Sequence, residues 1–484
     1  MSLIHIPSLF TKFPGKLQDK DLPKTPKLMG LLGPGIIMLA TALGSGEIFF
    51  WPGLTMKYGF MFIWPAIIAL YIQYILNTEF ARYTIATGET VITGFTRLWK
   101  PLGWVFMAFT TLPWIWPGWS MGGGVALSWV TGFRAESMAV ISLLVIGISL
   151  SSFKFVYKTV ETIEKALVIG VLVFLILMGF LLIKPSSLIA LGEGLTTIPT
   201  EIPESLELST LLAALAFCGA GGSINLATSN WIKDKGFGMG QFIPKIINPI
   251  SGIKQSAAGS GFFFTFTNEN INRWNNWWRL IRREQFITFF SIGLLGLLLL
   301  MLLSHSLLFG MDLDIGMSFL KAEGKMVEKN LSFFPKSVFY VIVATIFFTT
   351  ALGVLDHVAR ITSDILNTQI QKSKFSGIKL NESHYYFIML WAMILFGILV
   401  LTVLNIDEPP SLLAIAGSLS GIVMFLYSFL ILWLNIKLEM QIKKAKVDEN
   451  SFNPFKASLW RKFMLVVSIV FYGGFSVSLI INFF

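Results

Sequence analysis

Apolar positions in this chain come in long unbroken blocks, not in the i, i+3, i+4 stripes of a soluble amphipathic helix. Eleven blocks occur, near 31–56, 60–82, 102–131, 137–153, 164–183, 208–230, 286–310, 337–359, 385–405, 411–436 and 463–484. A helix needs about 20 apolar residues to cross the hydrocarbon layer, because every backbone N–H and C=O must be satisfied within the segment there. The pattern predicts an all-α integral membrane protein with about 11 transmembrane helices.

Two blocks are interrupted near mid-span by glycine. The first reads Leu43-Gly44-Ser45-Gly46-Glu47, and the sixth Phe217-Cys218-Gly219-Ala220-Gly221-Gly222-Ser223-Ile224-Asn225. Blocks one and six head two sets of five, where an inverted-repeat transporter places its discontinuous helices. This divides the chain into an N-terminal segment, 1–30, and one membrane transport domain, 31–484. Within the domain the first repeat covers about 31–183, the second about 208–436, and an extra helix about 463–484. A broken helix exposes backbone groups at membrane depth, which is tolerable only where they line a cavity or lie buried in protein. Gly122-Gly123-Gly124 in the third block reads instead as a close helix-packing surface.

Composition agrees with this picture: 54% of the 484 residues are hydrophobic, 13% are charged, and mean hydropathy is +0.71. Charge then orients the spans. With the N-terminus inside and strict alternation, inner segments collect 30 of the 37 Lys and Arg, including Lys154, Lys158, Arg282, Arg283, Lys372, Lys374, Lys443 and Lys444. That asymmetry follows the positive-inside rule and puts the N-terminus in the cytoplasm and the C-terminus outside, in a plasma (inner) membrane. The net charge of +10 is thereby assigned to topology and anionic lipid, not to nucleic acid. No cleaved signal peptide is evident ahead of the first span, and Cys218, the only cysteine, excludes an intramolecular disulfide.

Acidic residues gather on the outer side, at Glu193, Glu201, Glu204 and Glu207 and at Asp407 and Glu408. They would concentrate cations only weakly, and as solvated loop charges they need no role. The long inner loop, about 232–285, has a Gly-, Ser- and Lys-rich first part. Its second part, Asn270–Gln285, mixes Trp274, Trp277 and Trp278 with four arginines, which reads as a helix lying in the headgroup plane.

The sharpest chemical signal is Glu47. A carboxylate at the centre of a spanning helix costs about 2.5–3.5 kcal/mol on insertion scales, so it needs a bound cation, a partner helix or a proton. Ser45, Ser223 and Asn225 add neutral oxygens at similar depth, and carbonyls freed near Gly44, Gly46, Gly221 and Gly222 would add more. Such an oxygen set suits hard cations such as magnesium, calcium or manganese, with Glu47, Ser223 and Asn225 as metal ligands. In the eighth span Asp356, Arg360 and Asp364 share one helical face, with His357 adjacent. They form either a coupling or gating network or a static ladder of ion pairs. Glu79 and Arg82, at i and i+3, read as a structural pair. Zinc spacings, nucleotide loops and nucleophile elbows are all absent, so the sequence supports neither an enzyme nor a bound cofactor.

The stretch Gly33-Pro34-Gly35 through Glu47, with Tyr58-Gly59, Gln73-Tyr74 and Ile85-Ala86-Thr87-Gly88, resembles the NRAMP divalent metal transporters. The resemblance covers the first two spans well and later spans loosely. It implies the five-plus-five inverted repeat and, often, metal–proton symport. The family has Asp-Pro-Gly-Asn in its first break, where this chain reads Gly44-Ser45-Gly46-Glu47. In the sixth span it has Met-Pro-His-Asn, against Gly222-Ser223-Ile224-Asn225 here. The thioether that favours transition metals is missing, and the charge has moved to the Asn position. The expectation is therefore a secondary transporter of a hard divalent cation, the ion being substrate and not cofactor. The alternative is a sodium- or proton-coupled carrier of a small organic solute on the same fold. Expected partners are the lipid bilayer and the solute, with no obligate protein partner evident.

Overall fold

A computed structural model describes residues 7–26, 33–45, 47–197, 203, 206, 208–248, 260–370, 380–404, 409–444 and 452–483. The helices in chain order are α1 (Pro34–Ser45), α2 (Phe50–Tyr58), α3 (Ile63–Thr87), α4 (Val91–Leu98), α5 (Leu102–Trp114), α6 (Gly118–Thr131), α7 (Ala135–Ser152), α8 (Val156–Leu182) and α9 (Pro185–Thr196). There follow α10 (Leu208–Ala216), α11 (Ile224–Lys235), α12 (Asn268–Gln285), α13 (Gly293–Leu308), α14 (Met317–Asn330), α15 (Lys336–Ile370), α16 (Glu382–Thr402), α17 (Pro409–Lys444) and α18 (Leu459–Phe483).

Seven helical stretches among the described residues are long and apolar enough to cross a membrane: 135–152, 156–182, 268–308, 336–370, 382–402, 419–444 and 459–478. The remaining apolar blocks fall outside that group for visible reasons. Blocks one and six are broken into α1 and α2 and into α10 and α11, and α3 carries Gln73, Asn77, Glu79 and Arg82, all enclosed by neighbouring helices. Block three is divided as well, at Ile115–Pro117, ahead of Gly118, which opens α6. Pro117 has no N–H for a helical bond and disfavours the helical conformation at Trp116.

Apolar side chains cover the outside of the bundle as well as its centre, as lipid demands. Val145 and Ile148 on α7, Phe180 on α8, and Leu395 and Leu399 on α16 are all exposed. At the centre, α15 packs on α1, α5, α6, α8, α11 and α16. A Cβ added at Gly122 would meet the Phe347 ring, and one at Gly124 the backbone of α7, so the glycine triplet is a packing surface as expected.

Residues 7–26 dock onto one end of the bundle. Leu9, Phe10, Leu17 and Leu22 are buried, and β1 (Gln18–Asp19) pairs in parallel with β2 (Phe262–Phe263). Buried Arg97 donates to the carbonyls of Leu9 (3.4 Å), Lys12 (3.1 Å) and Gly15 (3.0 Å) while pairing with Glu89 (2.6 Å).

The arginine- and tryptophan-rich part of the long loop is not a separate helix in the headgroup plane. It is α12, which continues through seven residues of π-helix, Phe286–Ile292, into α13. Trp274 and Trp277 are buried in protein, and the Trp277 indole N–H donates to the Pro23 carbonyl at 2.7 Å. Trp277 therefore binds the docked segment and Trp274 packs on Phe264 and Phe452, where the sequence placed both toward lipid. From the other end of α12, Glu284 accepts the Gly35 N–H (2.8 Å), a carboxylate at the positive end of α1. A side chain at Gly35 would occupy the space of Thr288 and Glu284.

Candidate functional site

The break between α10 and α11 is built by backbone that only glycine adopts readily. Gly219, Gly221 and Gly222 have φ of +81°, +66° and +48°, so the chain reverses without a helical ladder and leaves its amides free to bond side chains. Gly219 N–H goes to Glu47 Oε1 (3.1 Å), linking the two broken helices directly. Gly221 N–H goes to Gln73 Oε1 (3.1 Å), which also accepts from Asn225 Nδ2 (3.2 Å), and Gln73 Nε2 donates back to the Cys218 carbonyl. Gln73 thus replaces two of the backbone partners that an intact helix would have supplied and fixes the Asn225 amide as well. Cys218 itself donates its thiol to the Ala66 carbonyl (3.2 Å).

Glu47 is fully buried, and its second oxygen, Oε2, has no hydrogen-bond partner among the described residues; the same holds for Asn225 Oδ1. Two buried oxygens without donors cost free energy that a bound cation or proton would recover. Ser223 bonds His357 Nε2 at 3.1 Å, while His357 Nδ1 lies 3.2 Å from the Gly353 carbonyl. A carbonyl only accepts, so Nδ1 carries the proton and the neutral ring accepts from the Ser223 hydroxyl at Nε2. The Trp114 ring stands edge-on to His357 with centroids 5.3 Å apart, and Phe217 packs on both Trp114 and Trp119.

The expected residues distribute as follows. Glu47 meets the second break through Gly219; Gly221 and Asn225 are tied to Gln73, Ser223 goes to His357, and Gly222 lies against Ser420 and Trp114. Gly44 ends up one turn away against α15, in contact with Thr350, and is a packing residue in this arrangement. Ser45 closes α1, but its side chain, and all of Gly46, lie outside the described residues, as do Glu201, Glu204, Glu207, Asp407 and Glu408. Among the described residues no three His, Cys, Asp or Glu side chains group closely enough to hold a metal ion. Any metal here would rest on one carboxylate with amide, hydroxyl and carbonyl oxygens.

The α15 face does not form the ladder that its spacing suggests. Arg360 bonds Asp356 (2.7 Å) and Asp234 of α11, not Asp364. Asp356 also accepts from Trp231 (2.9 Å) and Tyr386 (2.7 Å). Asp364 instead takes Lys233 (2.8 Å) and Thr90 (2.6 Å), and Lys233 reaches Glu382 at 2.7 Å. The last three charged groups line a polar cavity of about 370 Å³ between the α11 and α15 ends and the docked segment, with Glu89 and Thr93 on its wall. A buried carboxylate that sequence reading passed over, Glu164 of α8, interacts electrostatically with Asp356, and neither of its oxygens has a partner among the described residues. Its position at the edge of an apolar block was the available signal. Glu79 proves to be the centre of a buried cluster, accepting from Arg82 (2.8 Å), Asn435 (2.8 Å) and Arg461.

Known structures share this architecture. The manganese transporter of Eremococcus coleocola, in complex with an aromatic bis-isothiourea substituted compound, superposes with a TM-score of 0.65 at 14% identity, covering 96% of this chain and 90% of that one. Two single-residue mutants of the same transporter match at TM-scores of 0.60 and 0.61, also at 14% identity, covering 96% of this chain and 98% of theirs. The chain therefore shares the fold of these structures over nearly its whole length. No protein-family model and no curated protein sequence matches it.

Proposed function

We propose that this chain is a secondary transporter that moves a divalent metal cation across its membrane by alternating access. The observation that carries the reading is Glu47: a fully buried carboxylate bonded through one oxygen to the opposite helix break and unpartnered at the other. Glu47 Oε2, Asn225 Oδ1, the Ser223 hydroxyl and carbonyls released at the breaks form the cation's ligand set. Those donors are hard oxygens, which favour magnesium or manganese over softer ions. In this reading the eleven apolar blocks are eleven spans, arranged as a five-plus-five inverted repeat with broken first and sixth members and an N-terminus inside.

Proton coupling would run through the second network. Asp356, Arg360 and Asp234 connect toward Lys233, Asp364 and the polar cavity, and Glu164 adds a carboxylate with no counter-charge of its own. His357 ties this network to the cation site through Ser223.

The aromatic wall of Trp114, Trp119 and Phe217 favours a second reading, an organic ammonium held by Glu47 and ring faces. Proteoliposomes loaded with a metal-sensitive dye separate the two. Uptake of magnesium or manganese by wild type, abolished in Glu47→Gln and strongly reduced in Gln73→Leu, is the expected outcome. Absence of uptake of any divalent cation, together with a rise in melting temperature on adding amines alone, overturns it in favour of the organic solute.

A further inference from the structure

The end of the bundle that holds α12 carries more positive charge than the carboxylates beside it neutralise among the described residues. Three guanidinium groups surround the half-buried Trp278 ring: Arg82 at 3.9 Å from its centroid, Arg461 at 5.0 Å and Arg282 at 5.3 Å. Among the described residues only one carboxylate pairs with them. Glu79 is already shared by Arg82 and Arg461 and accepts from Asn435 as well, so no oxygen of it is left for a third cation. Arg279, Arg282 and Arg283 have no ion pair among the described residues, and Arg282 is repelled by Arg461, Arg279 and Arg283 alike. Like charges gathered on a rigid surface lower their energy most by binding a shared anion.

The surface below these arginines is apolar and faces lipid. Trp278, Arg282 and Phe286 follow at four-residue spacing on α12 and its π-helical extension, and the Phe286 ring stacks on Phe290 (5.4 Å). Tyr71 and Tyr74 of α3 pack against the same two phenylalanines at 5.6 and 5.7 Å. From α18, Trp460 donates its indole N–H to the Tyr71 hydroxyl at 3.2 Å. Phe286, Trp460 and Phe463 remain 44%, 55% and 55% exposed, so the groove between α3, α12 and α18 is open along its length. A cationic rim above an aromatic groove in the hydrocarbon region matches one class of molecule, with a phosphate at one end and acyl chains at the other.

We propose that this groove binds an anionic phospholipid, its phosphate on Arg279, Arg282 and the edge of Arg461 and its acyl chains along Phe286, Phe290 and Phe463. The site is independent of the solute carried, since it shares no residue with Glu47 or its partners. Choline lipids carry the same phosphate but present their own cation to the rim, which is why a net negative headgroup is required.

Native mass spectrometry of the purified full-length protein, titrated with phosphatidylglycerol or phosphatidylcholine, tests the proposal. Wild type should retain one phosphatidylglycerol at concentrations where phosphatidylcholine is lost. The Arg279→Gln/Arg282→Gln double variant removes two exposed side chains that make no ion pair among the described residues, Arg282 losing only a long bond to its own helix, so it should fold normally by melting temperature. Each guanidinium counts for about fivefold, so phosphatidylglycerol should bind the double variant roughly thirtyfold more weakly. Equal retention of the two lipids by wild type overturns the proposal without recourse to any variant. Undiminished phosphatidylglycerol binding in the double variant also overturns it. Displacement of the lipid by millimolar inorganic phosphate would identify a free-anion site instead.

Discussion

Gly222 shows how much of the site depends on single positions. Its φ of +48° is strained for any L side chain, and a Cβ there would collide with Ser420 and approach Trp114 at 3.2 Å. The left-handed conformation alone costs about 1–2 kcal/mol. Gly222→Ala should therefore lower the melting temperature and depress cation uptake together, and a variant with wild-type uptake would separate the glycine from the site. At this scale the sequence was legible where charge or glycine interrupts an apolar run. Glu47, Gly221 and Gly222 stood out that way, and Ser223 and Asn225 were singled out only for lying beside those glycines. Gln73 did not, because a neutral amide within an apolar block breaks no pattern, and nothing local says that it will complete the backbone of another helix 145 residues away.

Helix breaks and docking follow a similar division at the scale of elements. Glycine-rich runs marked the first and sixth breaks, whereas the third, at Ile115–Pro117, rests on proline. Proline is frequent in spanning helices and frequently absorbed by them, as Pro113 is inside α5. The partners of α15 were also unreadable, since spacing gives the face of a helix but not which neighbour meets it; Arg360 finds Asp234 on α11. The docked segment 7–26 was read only as part of an N-terminal segment ahead of the first span, because its few apolar residues have no period, yet Arg97 fastens it at three carbonyls. Arg97→Gln leaves Glu89 without its cation in a buried setting, which costs about 3–5 kcal/mol. Limited trypsin digestion should then cut at Lys12, Lys16 or Lys20 far faster than in wild type, and an unchanged digestion pattern would show that the strand pairing alone holds the segment.

The molecule as a whole answers to pH through groups outside the membrane as well as inside it. Burial pushes the carboxyl of Glu323, on α14 between two spans, from 4.5 up to about 8. A raised carboxyl holds its proton more tightly in the folded state than in the unfolded chain. Its stabilising effect is complete below about pH 4.5 and is lost as pH rises through about 8. Melting temperature should fall across that window, and Glu323→Gln should flatten the slope; a slope unchanged in the variant would assign the dependence to other groups.

The parallel pairing of Gln18–Asp19 with Phe262–Phe263 ties the beginning of the chain to residues made half a chain later. At about 5–20 residues per second, the early strand waits on the order of 10–50 s on the ribosome before its mate exists. During that interval the partners of Phe10 and Leu22, the Phe263 and Phe455 rings and the Asn270 side chain, do not yet exist. Biogenesis of this protein is therefore a race between translation and whatever else can occupy those residues. Slowing synthesis of the first half, or tethering a bulky fusion ahead of Leu9, should lower the yield of correctly assembled protein.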